Sequence, residues 1–302
     1  MENYLVSIIT FAGLYALLAL GLNVIWGMTG LINLGLAGFF AFGAYASALV
    51  TTAGGLPIVA GVVVAIAAAG AAGAVLTMIT MRLRGDYLAI VTLGFSELIR
   101  LVASNEIWLT NGTDGISGIP GPLRGDLSPA EFNLLFCGIV LAVVALVFLF
   151  AQRLRHSPYG RVLRAIRDDE LATAVAGKAT RAYKVQAFAI GAGILGLAGA
   201  LYGHYTSYIA PDIFRPLITI YIFLALTAGG TGNNAGAVFG AFLVMAVLEG
   251  TRFLEHVIPG LGGVQYAALR EIAIGTALIV VMHVRPTGLF PERPPRLNLQ
   301  NK

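Results

Sequence analysis

The sequence predicts an all-α fold. It reads as a polytopic transmembrane helical bundle of about nine spans, including broken or re-entrant Gly-rich segments, with the N-terminus outside and the C-terminus cytoplasmic. Three observations carry that expectation: scarce charge, a series of apolar runs of spanning length, and a one-sided distribution of Lys and Arg. Of 302 residues, 58% are hydrophobic and 11% charged, whereas a soluble domain carries about 45–50% and about 25%. Mean hydropathy is +0.84. So little charge cannot give a globule of this length a wetted surface, and a disordered chain needs the opposite composition. The single Cys excludes an internal disulfide framework and a multi-Cys metal site. The four His are scattered, without metal-ligand spacing, and read as structural or interfacial. A net charge of +4, small and localised, argues against a nucleic-acid partner.

The apolar runs lie near residues 5–25, 31–50, 56–80, 87–103, 132–151, 185–208, 217–228, 235–248 and 267–284. A spanning helix needs about 20 residues, so the seventh and eighth are too short to span unaided. The Gly-rich stretch flanking them is therefore expected at membrane depth. Fourteen of the 19 Lys and Arg then share one side. Arg82 and Arg84 follow the third run; Arg153, Arg155, Arg161, Arg164, Arg167, Lys178, Arg181 and Lys184 lie between the fifth and sixth. Arg285, Arg293, Arg296 and Lys302 are in the tail. The positive-inside rule makes that side cytoplasmic. The N-terminal Met-Glu-Asn-Tyr has no basic residue, so the first run reads as a retained span and not a cleaved signal. The organisation is a transmembrane domain over 1–290, with an outer loop at 105–131 and a cytoplasmic segment at 152–184, then a cytoplasmic tail over 291–302.

No catalytic constellation is visible. The nearest approach to a phosphate-binding G-x-x-x-x-G-K-[ST] loop is Gly177-Lys178-Ala179, which lacks the first Gly and the hydroxyl residue. Glycine is the strongest signal. One cluster comprises Gly27, Gly30, Gly35, Gly38 and Gly43, interleaved with Asn23, Thr29 and Asn33. The other comprises Gly229, Gly230, Gly232, Gly236 and Gly240, interleaved with Thr231, Asn233 and Asn234. Gly inside a helix costs about 1 kcal/mol against Ala, and in lipid it frees backbone groups that no water can satisfy. Paired Gly-interrupted short segments point to a translocation site; small-residue ladders such as Gly232, Gly236 and Gly240 point to helix packing. Packing is the favoured reading of the second cluster, and both stay open for the first. Glu97 and Arg100, three apart on one helix, can neutralise each other. Glu249 and Arg252 repeat the spacing and read as a self-paired charge near the outer interface, whereas Glu97 lies deeper, where self-pairing and pathway lining both stay open.

Residues 161–177 read RVLRAIRDDELATAVAG. Ser157-Pro158 starts a helix, Asp168-Asp169-Glu170 suits the positive end of a second one, and Gly177 can stop it. Two short amphipathic helices of mixed charge form a shape that inserts into a groove on a soluble partner.

At this point the sequence resembles the permease subunits of bacterial branched-chain amino acid ABC importers, of the LivM type. The matching pieces are GLNVIWGMTGLINLG at 21–35, RLRGDYLAIVTLGFSELIR at 82–100, LTNGTDGISGIP at 109–120, SPYGRVLRAIRDDELATAVAG at 157–177, GLAGALYGHY at 196–205, LTAGGTGNNAGAVFGA at 226–241 and RPTGLF at 285–290. The resemblance implies a multi-pass protein of the bacterial inner membrane that moves branched-chain or other hydrophobic amino acids. It implies pairing with a second, paralogous permease in a heterodimer. Two cytoplasmic ATP-binding cassette ATPases would dock below, and an extracytoplasmic substrate-binding protein would deliver the solute. The lipid bilayer would surround the chain. The chain would be a transport subunit and not an enzyme; it would bind no cofactor, with ATP and magnesium on the ATPases. The implied ATPase-coupling residues are Arg161, Arg164, Asp168, Asp169, Glu170, Ala172 and Gly177. The implied substrate-pathway residues are Asn23, Gly27, Thr29, Gly30, Asn33 and Gly35, with Thr92 and Glu97. Leu36 and Ala237 stand where the family often has His and Pro. The rival reading is a stand-alone, ion-gradient-driven secondary transporter or channel for small polar solutes, which leaves the 157–177 segment without a purpose.

Overall fold

A computed structural model describes residues 2–81, 83, 85–250, 263–285 and 287–292. Arg82, Arg84, Arg252, His256, Arg293, Arg296 and Lys302 lie outside the described residues. The elements are helices α1 (Glu2–Leu22), α2 (Leu36–Thr52), α3 (Ile58–Thr80), α4 (Asp86–Asn105), α5 (Ile107–Thr110), α6 (Pro129–His156), α7 (Pro158–Asp168), α8 (Glu170–Val175), α9 (Thr180–Thr206), α10 (Pro216–Gly229), α11 (Asn234–Gly250) and α12 (Gly263–Val284). Strands β1 (Ile116–Ser117) and β2 (Tyr208–Ile209) form one antiparallel two-residue ladder. Among the described residues five helical segments are long and apolar enough to cross a membrane: Asn3–Gly27, α3, α4, α6 and α9. Shorter apolar helices occupy Leu36–Thr52, Pro216–Gly229, Asn234–Gly250 and Glu271–Val281. Each of the nine expected runs thus contains an apolar helix.

Local chemistry sets the boundaries. Ser128 caps α6 through a reciprocal box with Glu131, and Pro129 stands in the first turn. α3 and α10 also begin beside a proline, after residues in extended conformation. α1 does not end cleanly: it widens into a π-helical turn over Asn23–Gly27. The expected second run is split, because 30–35 is not helical and α2 begins only at Leu36.

The core is built around α1, α2 and α9. From Leu14 to Ile25 the first helix is buried on nearly every side, between α6, α9 and α11. α9 packs against α2 and α3 through small residues. A Cβ at Gly43 would fall on the Gly196 backbone, and one at Gly199 on the Phe40 carbonyl oxygen. By contrast α3, α4 and α6 expose large apolar side chains such as Val59, Ile79, Ile90, Leu98, Leu134 and Leu146. An uninterrupted apolar exterior of this kind needs lipid or another protein against it.

At one end of the bundle the 106–128 loop is pinned to the end of α9. Arg124 donates to the carbonyls of His204 and Tyr205, and its guanidinium stands 4.3 Å over the Phe132 ring. Buried His204 bonds Ser47 Oγ through Nε2 (2.9 Å) and the Pro120 carbonyl through Nδ1 (2.6 Å). It is a structural His, as expected from its isolation in the sequence. Glu249 accepts from the Tyr4 hydroxyl at 2.6 Å; its expected partner Arg252 lies outside the described residues. The opposite end of the bundle carries α7, α8 and the 285–292 segment.

The α2–α9 contact gives a test. Gly199→Ala drives a methyl into backbone, an overpacking that costs about 1–3 kcal/mol or more. A lower thermal midpoint of the purified protein is expected. Gly94→Ala on α4, where a Cβ meets nothing within 4 Å, should leave the midpoint unchanged or slightly raised.

Candidate functional site

The two Gly-rich clusters meet in space. Asn23 is fully buried. Its Nδ2 donates to Asn234 Oδ1 (2.8 Å), and its Oδ1 accepts from the Gly232 backbone N–H (2.8 Å). Asn234 Nδ2 in turn donates to Gln152 Oε1 at 2.9 Å. One relay of amides therefore joins the end of α1, the 230–233 turn, the start of α11 and the end of α6. Gly27 has no room for a side chain, since a Cβ would strike Asn23 Oδ1 and approach the Gly232 nitrogen at 2.8 Å. Gly30, at φ +74°, turns the chain back along the bundle. Thr29 Oγ1 returns a bond to the Ile25 carbonyl.

From Gly30 the chain runs non-helically to Gly35. Asn33 is fully buried; its Oδ1 accepts from Gly35 N at 2.9 Å, and its Nδ2 has no partner among the described residues. Thr92 Oγ1 accepts from Leu34 N (3.0 Å) and donates to the Ala89 carbonyl (2.9 Å). Gly35 lies on the Thr92 carbonyl, and Gly38 on Ser96, whose buried Oγ is also unpartnered. Asn23, Gly27, Thr29, Gly30, Asn33, Gly35 and Thr92 thus line one continuous seam. Glu97 does not join it. Its carboxylate takes both Oε bonds from Arg100 Nε (3.1 and 3.0 Å), and Arg100 stands 4.0 Å from Asp212, which pairs with Arg215 at 3.0 Å. The Glu97 side chain is 39% exposed.

The segment 157–177 forms α7 and α8. Ser157 caps α7, accepting from Gly160 N at 3.1 Å, with Pro158 in the first turn. Asp169 caps α8, accepting from Ala172 N at 3.0 Å. Asp168 differs from expectation: it is the last residue of α7, because the cap of the second helix falls one position later. Glu170 pairs with Lys184 Nζ at 2.6 Å. Gly177 follows α8 at φ +79°. Leu163 and Ile166 point inward, whereas Arg161, Asp168, Leu171, Ala172 and Val175 are exposed. Tyr159 packs on Tyr183 with ring centroids 5.2 Å apart, and burial, then Tyr183, pushes its phenol up to about 12, so it stays protonated.

α7 reaches the seam directly. Arg167 Nη1 donates to the Gly27 carbonyl and also pairs with Glu292 Oε2 at 2.8 Å. Arg155 and Arg164 both stand 3.7 Å from Glu292 Oε1. The chain carrying Glu292 is tied to the end of α10: Leu289 N donates to the Ala228 carbonyl and Phe290 N to the Gly229 carbonyl, each at 2.9 Å. A cavity of about 400 Å³ opens here, lined by Trp26, Gly27, Gly30, Arg167, Thr231 and Glu292. Sequence reasoning missed Arg167 and Glu292 as site residues. Glu292 lies two positions beyond RPTGLF, beside Arg293 in sequence, whereas Arg155, Arg164 and Arg167 reach it only through the fold. Among the described residues no group of three or more His, Cys, Asp or Glu converges as metal ligands.

Comparison with known proteins follows the same lines. Residues 4–282 match the family described as the permease component of the branched-chain amino acid transport system. The chain is 33% identical to the high-affinity branched-chain amino acid transport permease LivM of Escherichia coli (strain K12), over 98% of this chain and 72% of that protein. It is 31% identical to the probable LivM of Methanocaldococcus jannaschii, over 74% of this chain and 65% of the other. It is also 26% identical to the Escherichia coli (strain K12) permease LivH, over 93% of this chain and 92% of that protein. No solved structure matches the chain.

The relay predicts a specific loss. Asn23→Leu leaves the Gly232 N–H and one Asn234 bond unmet in a buried site, at about 1–3 kcal/mol for each stranded group. Thermal unfolding of the purified variant should show a clear drop. An unchanged midpoint would mean that the two clusters are not joined through Asn23.

Proposed function

Because the chain belongs to the family of branched-chain amino acid transport permeases, we propose that its two short helices α7 and α8 couple a partner ATPase to movement of the Gly-rich seam. It is a permease subunit of an ABC importer for branched-chain amino acids, a membrane transport subunit and not an enzyme. The family membership also favours this reading over a stand-alone gradient-driven transporter. The similarity to both LivM and LivH supports pairing with a second, paralogous permease in a heterodimer. Two cytoplasmic ATPases, carrying ATP and magnesium, and an extracytoplasmic binding protein complete the assembly. The end bearing α7 and α8 is cytoplasmic on the positive-inside reading, in a bacterial inner membrane.

One observation carries the mechanism: Arg167 on α7 holds the Gly27 carbonyl and Glu292 at once. A displacement of α7 therefore pulls on the break after α1. Through Glu292 and the 289–290 backbone bonds it also pulls on the end of α10. The exposed Leu171 and Val175 on α8, at 68% and 90%, form a small apolar ridge suited to a groove on the ATPase. Arg161, Arg164, Asp168, Asp169, Glu170, Ala172 and Gly177 belong to this coupling unit. Within it, Glu170 and Asp169 fix the shape of α8, and Arg161 and Asp168 offer charge to the partner. Coupling of this kind requires two states whose balance the ATPase shifts. The solute path follows the seam of Asn23, Gly27, Thr29, Gly30, Asn33, Gly35 and Thr92. The unpartnered Asn33 Nδ2 and Ser96 Oγ give a passing polar group something to bond. Glu97 acts with Arg100 near the entrance.

Two variants separate docking from transmission. Val175→Asp should strip the ATPase from the purified complex. Arg167→Gln should leave the complex intact yet lower uptake per ATP hydrolysed, by tenfold or more if one hydrogen-bonded charge contact of about 1.5–3 kcal/mol is what transmits the stroke. Wild-type stoichiometry in Arg167→Gln would contradict the mechanism.

A further inference from the structure

A second cavity lies beside the Arg167 contact, and the transport reading assigns it no ligand. It has a volume of about 670 Å³ and is lined by Gln152, Arg155, His156, Arg164, Asn233 and Phe290. Among the described residues its charge is unbalanced. Three guanidinium groups surround one carboxylate, Glu292, whose Oε2 is already engaged by Arg167 at 2.8 Å. Arg155 and Arg164 share Oε1 from 3.7 Å, beyond hydrogen-bond reach, with side chains only 11% and 21% exposed. Arg164 Nη2 donates one long bond to the Arg155 carbonyl at 3.4 Å, and the remaining polar neighbours are already engaged. Gln152 Oε1 is taken by Asn234, the Gln152 carbonyl by His156 and the Phe290 carbonyl by Asn233. Among the described residues these two cations therefore share a single carboxylate oxygen and one long hydrogen bond, a set that an anion would complete.

The rim of the cavity says which anion. Phe290 and Leu289 are 41% and 44% exposed at its mouth, and the Phe290 ring packs edge-on against Phe239 of α11 at 5.3 Å. Phe239, Leu243 and Val247 follow at helical spacing up α11, at 46%, 37% and 41% exposure. A cationic pocket thus opens onto an apolar stripe that runs along a helix of the bundle. We propose that this cavity binds the phosphate headgroup of an anionic phospholipid, with Arg155 and Arg164 on the phosphate and an acyl chain along Phe239–Leu243–Val247. Basic pockets at the ends of membrane helices recognise anionic headgroups by this combination of charge and depth, and two guanidinium forks suit phosphate oxygens. The inference rests on the chain being a membrane protein and not on which solute it moves.

Native mass spectrometry of the full chain in mild detergent, with equal phosphatidylglycerol and phosphatidylethanolamine added, reads the proposal. The wild type should retain phosphatidylglycerol in preference by about tenfold or more. R155Q/R164Q should bring the two lipids to parity, and R153Q, at an exposed Arg on α6, should leave the lipid preference unchanged. E292Q supplies a result that structural damage cannot mimic: removing the carboxylate that Arg155 and Arg164 share should raise the preference above wild type. If R155Q/R164Q does not fold, R164Q alone should give an intermediate preference. An unchanged preference in the Arg variants, or none in the wild type, overturns the proposal. So does inorganic phosphate alone, at millimolar concentration, matching the thermal stabilisation given by phosphatidylglycerol, which would assign the cavity to soluble phosphate.

Discussion

Backbone amides and carbonyls set free inside an apolar bundle must find partners within the protein, because lipid offers none. The rest of this structure depends on how that constraint is met where α1 stops. The π-helical turn at Asn23–Gly27 and the non-helical run from Gly30 to Gly35 leave a stretch of chain outside regular helix. Asn23 meets the need from both ends of one side chain, accepting from the Gly232 backbone and donating to Asn234. Once that amide is in place, Gly27 has to be Gly, α11 has to begin at Asn234, and Gln152 on α6 is fixed as the outer member of the relay.

The same solution makes the breaks mechanically useful. Regular helices in close contact, such as α2 against α9 through Gly43 and Gly199, have little freedom to move separately. The seam is different: a few hydrogen bonds and one guanidinium hold it. Arg167 replaces part of the missing helical bonding by taking the Gly27 carbonyl. The group that satisfies the backbone is thereby mounted on α7. A bond required for stability becomes a handle, and the surface helix cannot shift without changing the environment of the break. Glu292 closes the loop by bringing the end of α10 to the same guanidinium. Conformational change of this type needs discrete alternatives at a packed joint and not general softness.

Much of this was legible in the sequence. Low charge and long apolar runs fixed the class, and the 3.6-residue helix is what such runs must form in lipid. Ser157-Pro158 and Gly177 marked α7 and α8 because caps are local chemistry. Clustered Gly with Asn marked both breaks, and the expected motif residues from Asn23 to Thr92 lie on one seam. What was not legible were pairings between residues far apart in the chain. Asn23 with Asn234, Gln152 with Asn234, and Arg167 with Glu292 depend on tertiary approach, which no spacing encodes. Packing was the favoured reading of the second cluster and both readings stayed open for the first; that the two meet through Asn23 was not foreseen. Asp168 and Asp169 were read together as the start of a helix, but only one residue can occupy a cap.

The central claim is that α7 and the break after α1 move as one body when the ATPase acts. Its most direct test is a distance measurement in the assembled, membrane-reconstituted transporter. Spin labels would be placed at Arg161→Cys on α7 and Leu31→Cys beside the break, with Val59→Cys on α3 as reference and buried Cys137 replaced. The account predicts that the 161–31 distance stays constant between the nucleotide-free and ATP-trapped states while both labels shift relative to residue 59. A change in the 161–31 distance as large as the shift against residue 59 would contradict it.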